Sequence, residues 1–292
     1  MSNENLPVFN RIAVACPPQN PEAAAESKRV AEALRELGVS HVVALAISNE
    51  ALRSELQGGG FDLLIVLGGD GSMMRAVHLS APVGVPVLGV NFGHFGFLIE
   101  VQREGWRQRL PDLLSGRFWV EERMMLLSEH WRGERRLGSW QTLNEAVVAR
   151  GQIVRPIMVN ARVDGVELAN YVADGVLVAT ATGSTAYALA VGGPIMPPEL
   201  RNMLIVAIAP HLSIDRAVIL PEGAQVSLVA QTTHQAVFSV DGHPPVYLEN
   251  GDEVRVSAND HAARFIRFED RGYFYRNITR YMQQNPSTGG TR

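Results

Sequence analysis

Residues Leu63-Leu64-Ile65-Val66-Leu67 are apolar at every position and run directly into Gly68-Gly69-Asp70-Gly71-Ser72. A strand with one wet face shows a polar residue at every second position. A run without any belongs to a strand covered on both faces, as in a parallel sheet flanked by helices. The neighbouring segments fit that plan. Arg11–Cys16, Pro21–Leu37, Val42–Ile47, Asn49–Gln57 and Phe61–Leu67 read as strand, helix, strand, helix, strand. Ser72–Ser80 reads as the next helix and Val85–Val90 as the next strand. The expectation is an open α/β sheet.

From about Trp119 the pattern becomes strand-rich. Ile157–Val163 and Val166–Tyr171 are joined by Asp164-Gly165, the two-residue signature of a type I′ hairpin. Further strands are expected at Leu204–Ala209, Gln225–Ala230, Ala236–Val240 and Glu253–Ser257, with a helix at Ser184–Ala190 and another from about Gly272. At 292 residues the chain suits two domains, each with its own core. They are expected at 1–118 (α/β) and 119–270 (β-rich), followed by a segment 271–292 that can pack back on the first domain and ends in a disordered tail.

A net charge of −4 supplies no broad basic surface, so a nucleic-acid partner is not expected. Cys16 is the only cysteine, which excludes an internal disulfide and Cys-rich metal sites. No apolar run reaches the length of a membrane span, and the N-terminus lacks the pattern of a secretory leader. A reducing cytoplasm is the expected compartment. Lys28 is the only lysine, and it lies in a helix-like segment. Phosphate charge would therefore have to be met by arginine or a metal.

Three segments concentrate polar chemistry. Gly68-Gly69-Asp70-Gly71-Ser72 sits where a strand ends and a helix starts, the edge of an open α/β sheet that binds ligands. Glycines there let phosphate approach the backbone, and the N–H groups of a helix start favour an anion. Asp70 among them is either a chemical group or the cap of the following helix. The second segment is Asp174-Gly175 followed by Thr180-Ala181-Thr182-Gly183-Ser184-Thr185-Ala186-Tyr187. It carries more hydroxyls than capping needs, which suits a polyhydroxylated ligand. In the third, Asn144 and Glu145 open an apolar strand. Adjacent strand residues point to opposite faces, so by themselves they read as a solvated edge. Neither a Walker-type loop nor a G-x-G-x-x-G fingerprint occurs.

Taken together, in this order, these segments resemble the NAD kinases. Gly68-Gly69-Asp70-Gly71 looks like the family's GGDG motif, Asn144-Glu145 like its NE motif, and Asp174-Gly175 with Thr182–Tyr187 like its DG and TGSTAY segment. Asn91-Phe92-Gly93, Gly96-Phe97-Leu98, Gly192-Gly193-Pro194, Ala209-Pro210-His211 and Asp241-Gly242 extend the resemblance to roughly Ile65–Asp252. Ser72 stands where the family usually has threonine, and Ala181 where it often has proline. The resemblance implies an α/β domain followed by a β-sandwich-like domain, and phosphoryl transfer from ATP, another nucleoside triphosphate or polyphosphate to the 2′-hydroxyl of the adenosine ribose of NAD. It implies Asp70 as general base, with Gly68, Gly69, Gly71 and Ser72 at the ATP phosphates; with so little lysine, Arg75, one turn into the following helix, and Arg155 are the arginine candidates for offsetting phosphate charge. Asp70, Gly71, Phe97, Asn144, Glu145, Arg155, Asp174, Thr182, Thr185, Ala186, Tyr187, Ala188, Leu189 and Ala190 are the implied NAD-binding residues. Mg²⁺ and a homodimeric or homotetrameric assembly are implied as well. A lipid kinase sharing the GGDG loop, and a non-catalytic NAD-binding regulator, are the competing readings.

Overall fold

The structure, a computed structural model, describes residues 8–93, 96–152, 155–211 and 215–284. The tail at 285–292, expected to be disordered, lies outside the described residues. The chain divides into two compact units, Met1–Glu122 with Ala263–Arg292, and Arg123–Ala262. The first is therefore built from both ends of the sequence.

In the first unit, β1 (Arg11–Cys16), β2 (His41–Ala46), β3 (Leu63–Gly68) and β4 (Val87–Asn91) form a parallel sheet in the order β2-β1-β3-β4. All six residues of β3 are buried, as its uninterrupted apolar run requires. The two-residue β5 (Val101–Gln102) lies parallel on β4. The connecting helices are α1 (Pro21–Glu36), α2 (Glu50–Gln57), α3 (Asp70–Ser80) and α4 (Trp106–Leu114). Asn20 starts α1 by accepting the N–H of Ala23 at 3.0 Å, and Asn49 does the same for α2 through Ala51 at 2.8 Å. The strand order reverses direction between β1 and β3, so the loops leaving their carboxyl ends flank the switch point of the sheet.

The second unit is made of β6 (Trp119–Arg132), β7 (Arg135–Thr142), β8 (Glu145–Arg150), β9 (Ile157–Val163), β10 (Val166–Ala173) and β11 (Gly175–Thr180), then the single-turn α5 (Tyr187–Ala190) and β12 (Asn202–Ile208), β13 (Val218–Pro221), β14 (Val226–Gln231), β15 (Ala236–Val240), β16 (Val246–Leu248) and β17 (Glu253–Arg267). β6 begins, and β17 ends, in the first unit. The last helix, α6 (Tyr273–Gln284), belongs to the first unit. Strands β10-β9-β14-β17 form one antiparallel array. Strands β13-β12-β11-β8-β15-β16 form a second sheet. Val159, Leu228 and Val254 of the first array share one core with Val148, Val176, Ile205 and Phe238 of the second, which makes the unit a sandwich. The β9–β10 turn has φ of 51° at Asp164 and 81° at Gly165, the type I′ geometry.

Several elements differ from the sequence reading, among them the short strands β5, β13 and β16, which it did not include. Helix α4 was not anticipated, because Pro111 lies inside it. The expected helix at Ser184–Ala190 is a 3-10 turn at Gly183–Thr185 and a separate α-turn at Tyr187–Ala190. Strand β17 continues to Arg267, well past the expected end at Ser257. Among the described residues no helix is long and apolar enough to cross a membrane.

Candidate functional site

In the first unit the loops at the carboxyl edge of the sheet converge on Asp70. The carbonyl of Gly68 accepts the N–H of Phe92 at 2.9 Å, and the Asn20 amide reaches the Phe92 carbonyl at 3.4 Å. Helix α3 is capped by Gly69, not by Asp70. The Asp70 carboxylate instead points to the loop after β4. It accepts the N–H of Phe97 at 2.8 Å and that of Leu98 at 3.2 Å, one on each oxygen. A Cβ on Gly96 would collide with this carboxylate, so only glycine lets the loop wrap it so closely. Asp70 is thus a half-buried carboxylate of fixed orientation, and the capping alternative is ruled out.

The other phosphate candidates separate by exposure. Gly71 is exposed and faces open space, and Arg75 is exposed one turn along α3. Gly69 is half-buried. Gly68 is buried beneath Ser72, whose Oγ lies 2.5 Å from where a Gly68 side chain would start. Ser72 is itself buried at 8% exposure, so these two build the loop from inside. Phe97 is also buried and packs with Tyr273 and Phe274 of α6. Lys28 is exposed on α1.

In the second unit the NE and TGSTAY segments meet through backbone contacts. A Cβ on Gly183 would run into the Asn144 carbonyl, so the turn can seat there only as glycine. Asn144 precedes β8 rather than lying in it, so strand alternation does not separate it from Glu145. What bends the chain is Asp241. Its carboxylate accepts the backbone N–H groups of Leu143 at 2.7 Å, Asn144 at 2.8 Å and Glu145 at 3.0 Å, from a residue held at φ 49°. Sequence reasoning gave Asp241 no role. The only signal available was the Asp-Gly pair itself.

Most of the hydroxyls in this turn serve the backbone. Thr180 donates to the Leu143 carbonyl at 2.6 Å, Ser184 to the Ala181 carbonyl at 2.6 Å and Thr185 to the Thr182 carbonyl at 3.1 Å. Two buried polar atoms are left over. Glu145 Oε2 and Thr182 Oγ1 have no hydrogen-bond partner, on residues 8% and 5% exposed. Buried polar atoms in folded proteins are almost always paired, so two unpartnered ones on adjoining segments make this turn a candidate ligand surface. Burial, reinforced by the nearby Asp241 carboxylate, pushes Glu145 up to about 7 against the opposing hydrogen bond from the Tyr187 backbone. Tyr187 is exposed, Ala186 and Leu189 are half-buried, Ala190 is exposed, and Ala188 is fully buried beneath the turn. Asp174 pairs with Arg150 at 2.9 Å, a partner the sequence did not indicate. Arg155 is exposed, with Nη1 3.0 Å from His234 Nε2. Among the described residues no three His, Cys, Asp or Glu side chains gather into a metal cage.

The chain matches two family models, the ATP-NAD kinase N-terminal domain over residues 12–118 and the ATP-NAD kinase C-terminal domain over residues 143–268. The NAD kinase of Chloroflexus aurantiacus is 34% identical over 278 residues, covering 95% of this chain and 100% of the relative. That of Aquifex aeolicus is 36% identical over 251 residues, covering 85% and 90%. Among solved structures, an NAD kinase from Archaeoglobus fulgidus in complex with ATP superposes with a TM-score of 0.76 at 26% identity, over 92% of this chain and 98% of that one. A yeast NADH kinase complexed with NADH has the same fold, with a TM-score of 0.81 at 23% identity, over 98% and 93%.

Proposed function

This chain belongs to the NAD kinase family, and from that premise we propose the residues that carry its reaction. The enzyme is a phosphotransferase that moves a phosphoryl group from ATP to the 2′-hydroxyl of the adenosine ribose of NAD, giving NADP and ADP. The family models and the relatives named above are those of NAD kinases, which does not favour the lipid-kinase and regulator readings.

Asp70 is assigned as the general base. The 2′-oxygen attacks the terminal phosphorus, its proton passes to the Asp70 carboxylate, and the bond to the bridging oxygen breaks to release ADP. The observation that carries this assignment is the hold of Phe97 and Leu98 on that carboxylate. Two backbone N–H groups fix its direction, and the oxygens keep lone pairs with which to take a proton. Gly69, Gly71 and Arg75 are assigned to the donor phosphates, on the exposed side of the loop; Gly68 and Ser72 support them from beneath. Asn144, Glu145, Asp174 and Thr182 are assigned to NAD, with Glu145 Oε2 and Thr182 Oγ1 taking ligand hydroxyls. Thr185, Ala186, Tyr187, Leu189, Ala190 and Arg155 extend that assignment, together with Phe97 and Ala188, which are buried as Glu145 and Thr182 are.

Mg²⁺ is assigned to the donor. It characteristically rides on nucleotide phosphates with one or two carboxylates and several waters, so it needs no cage of protein ligands. With Lys28 the only lysine, the charge that offsets the triphosphate would come from Mg²⁺ together with arginine, Arg75 first among them. NADP formation is therefore expected to stop in excess EDTA and to return when Mg²⁺ is restored. Undiminished turnover in EDTA would overturn this assignment. The compartment is assigned as the cytoplasm and the assembly as a homodimer or homotetramer, which sedimentation of the purified protein would measure.

Thr182→Val tests the acceptor surface. The change swaps a buried, unpartnered hydroxyl for a methyl of the same size, so the melting temperature is expected to hold or rise slightly. A lost hydrogen bond of about 1 kcal/mol raises the KM for NAD by roughly 5- to 10-fold, with the KM for ATP unchanged. An effect confined to ATP would reassign the turn to the donor.

A further inference from the structure

The first unit buries a charged network that the reaction as described does not use. Arg267, at the end of β17, and Glu121, near the start of β6, are each 1% exposed. Arg267 Nε donates to Glu121 Oε2 at 2.9 Å, and Nη2 stands 2.8 Å from the same oxygen. The Tyr273 hydroxyl donates to Glu121 Oε1 at 2.7 Å. The guanidinium lies 4.8 Å from the centroid of the Tyr273 ring and 5.0 Å from that of Phe265. Removing both charges from water costs more than their attraction readily returns, so such a pair is weak support for stability and is better explained by the geometry it imposes.

That geometry leads to the catalytic carboxylate. The remaining arm of the fork, Arg267 Nη1, donates to the carbonyl of Leu98 at 3.0 Å. The N–H of Leu98 is one of the two that hold Asp70. The other comes from Phe97, whose ring packs 6.5 Å from that of Phe274. Two residues further on, Glu100 Oε1 accepts the N–H groups of Phe268 at 3.0 Å and Glu269 at 2.7 Å. Residues 97–100 are thus tied to the 267–274 segment by a side chain at each end and by ring packing. Gly96 leaves no side chain to hold the loop off Asp70. The fork of an arginine suits this task, since it satisfies a carboxylate and a carbonyl at once in fixed directions.

We propose that Arg267, held by Glu121 and Tyr273, is a positioning residue for Asp70, acting through the Leu98 peptide. The proposal rests on the reading of Asp70 as the base. In it, the C-terminal segment sets the aim of the base and takes no part in holding either substrate.

The test is a double-mutant cycle in the full-length enzyme. Arg267→Met combined with Glu121→Gln removes both buried charges together, so neither is left unpaired, and the amide introduced at position 121 can still accept from Tyr273. In the wild-type background this pair is expected to lower kcat by roughly 10- to 100-fold, the scale of a misplaced catalytic group, with both KM values within about 2-fold. In an Asp70→Asn background the same pair is expected to change kcat by less than about 2-fold, because a residue acting only through the base has nothing left to act on. Equal losses in both backgrounds, or raised KM values with kcat intact, would overturn the proposal. If Asp70→Asn alone keeps its kcat, the base assignment fails instead, and the two failures stay distinct. Tyr273→Phe is the milder second variant, should the pair not fold. It keeps the ring against Phe97 and is expected to cost about 3-fold in kcat in the wild type and nothing beside Asp70→Asn. An equal cost in both would again overturn the proposal.

Discussion

Asp70→Asn is expected to lower kcat for NADP formation by roughly 10²- to 10⁴-fold, the usual contribution of a positioned base, while the KM values for NAD and ATP change little. Asparagine keeps the size of the side chain but cannot take the proton. A helix-capping aspartate would tolerate this change in silence, because asparagine caps as well. Here the cap is Gly69, and both carboxylate oxygens are engaged by the Phe97 and Leu98 amides. The amide nitrogen of asparagine must face one of those N–H groups, so a loss of about 1–3 kcal/mol in stability is expected as well. Activity is therefore read on protein shown by its melt to be folded. A folded variant with near-wild-type kcat would remove Asp70 from the mechanism.

Glu145→Gln should move stability and binding in opposite directions. The carboxyl of Glu145 lies at about 7 in the folded protein against 4.5 as its ordinary value. Between those values the folded chain holds a proton that the unfolded chain has released, so stability falls as pH rises through the window. The deficit is absent below about pH 4.5 and complete above about pH 7, where it amounts to roughly 3 kcal/mol. Glutamine carries no such deficit. The variant is expected to melt about 5 °C or more above the wild type at pH 8 and close to it near pH 4.5. In exchange, a ligand hydroxyl loses a charged acceptor, and the KM for NAD rises roughly 10- to 100-fold. Matched melting curves at both pH values would show that Glu145 bears no desolvation strain. An unchanged KM would take it out of the acceptor surface.

The parts of the fold carried by local pattern could be read in the sequence. The all-apolar run at 63–67 fixed the parallel sheet, and Asp164-Gly165 fixed the hairpin. Helix α4 hid behind Pro111, although Trp106, Leu110, Leu113 and Leu114 carry helical spacing and are all buried. In β17 the strand continues past Ser257 through the polar residues Asn259, Asp260 and His261, which occupy half-buried and exposed positions, so no apolar pattern marks its full length. Counting hydroxyls in the TGSTAY segment did not reveal which of them also serve the backbone. Ser184 and Thr185 turn back on the carbonyls of Ala181 and Thr182, which closes the 3-10 turn and leaves Thr182 as the unpartnered donor. Asp241 and Arg267 were beyond reach for a different reason. Each acts on a segment far away in sequence, and nothing local distinguishes an aspartate that gathers three amides, or an arginine buried against a glutamate, from their exposed counterparts.

Phosphorus NMR of the purified protein mixed with NAD, ATP and Mg²⁺ tests the central claim most directly, because it identifies the acceptor atom as well as the product. A new phosphomonoester signal on the 2′-oxygen of the adenosine ribose should grow in step with ADP, one for one, and should be absent when NAD is omitted. ADP released with no such signal, or NAD bound with neither product formed, would contradict the account.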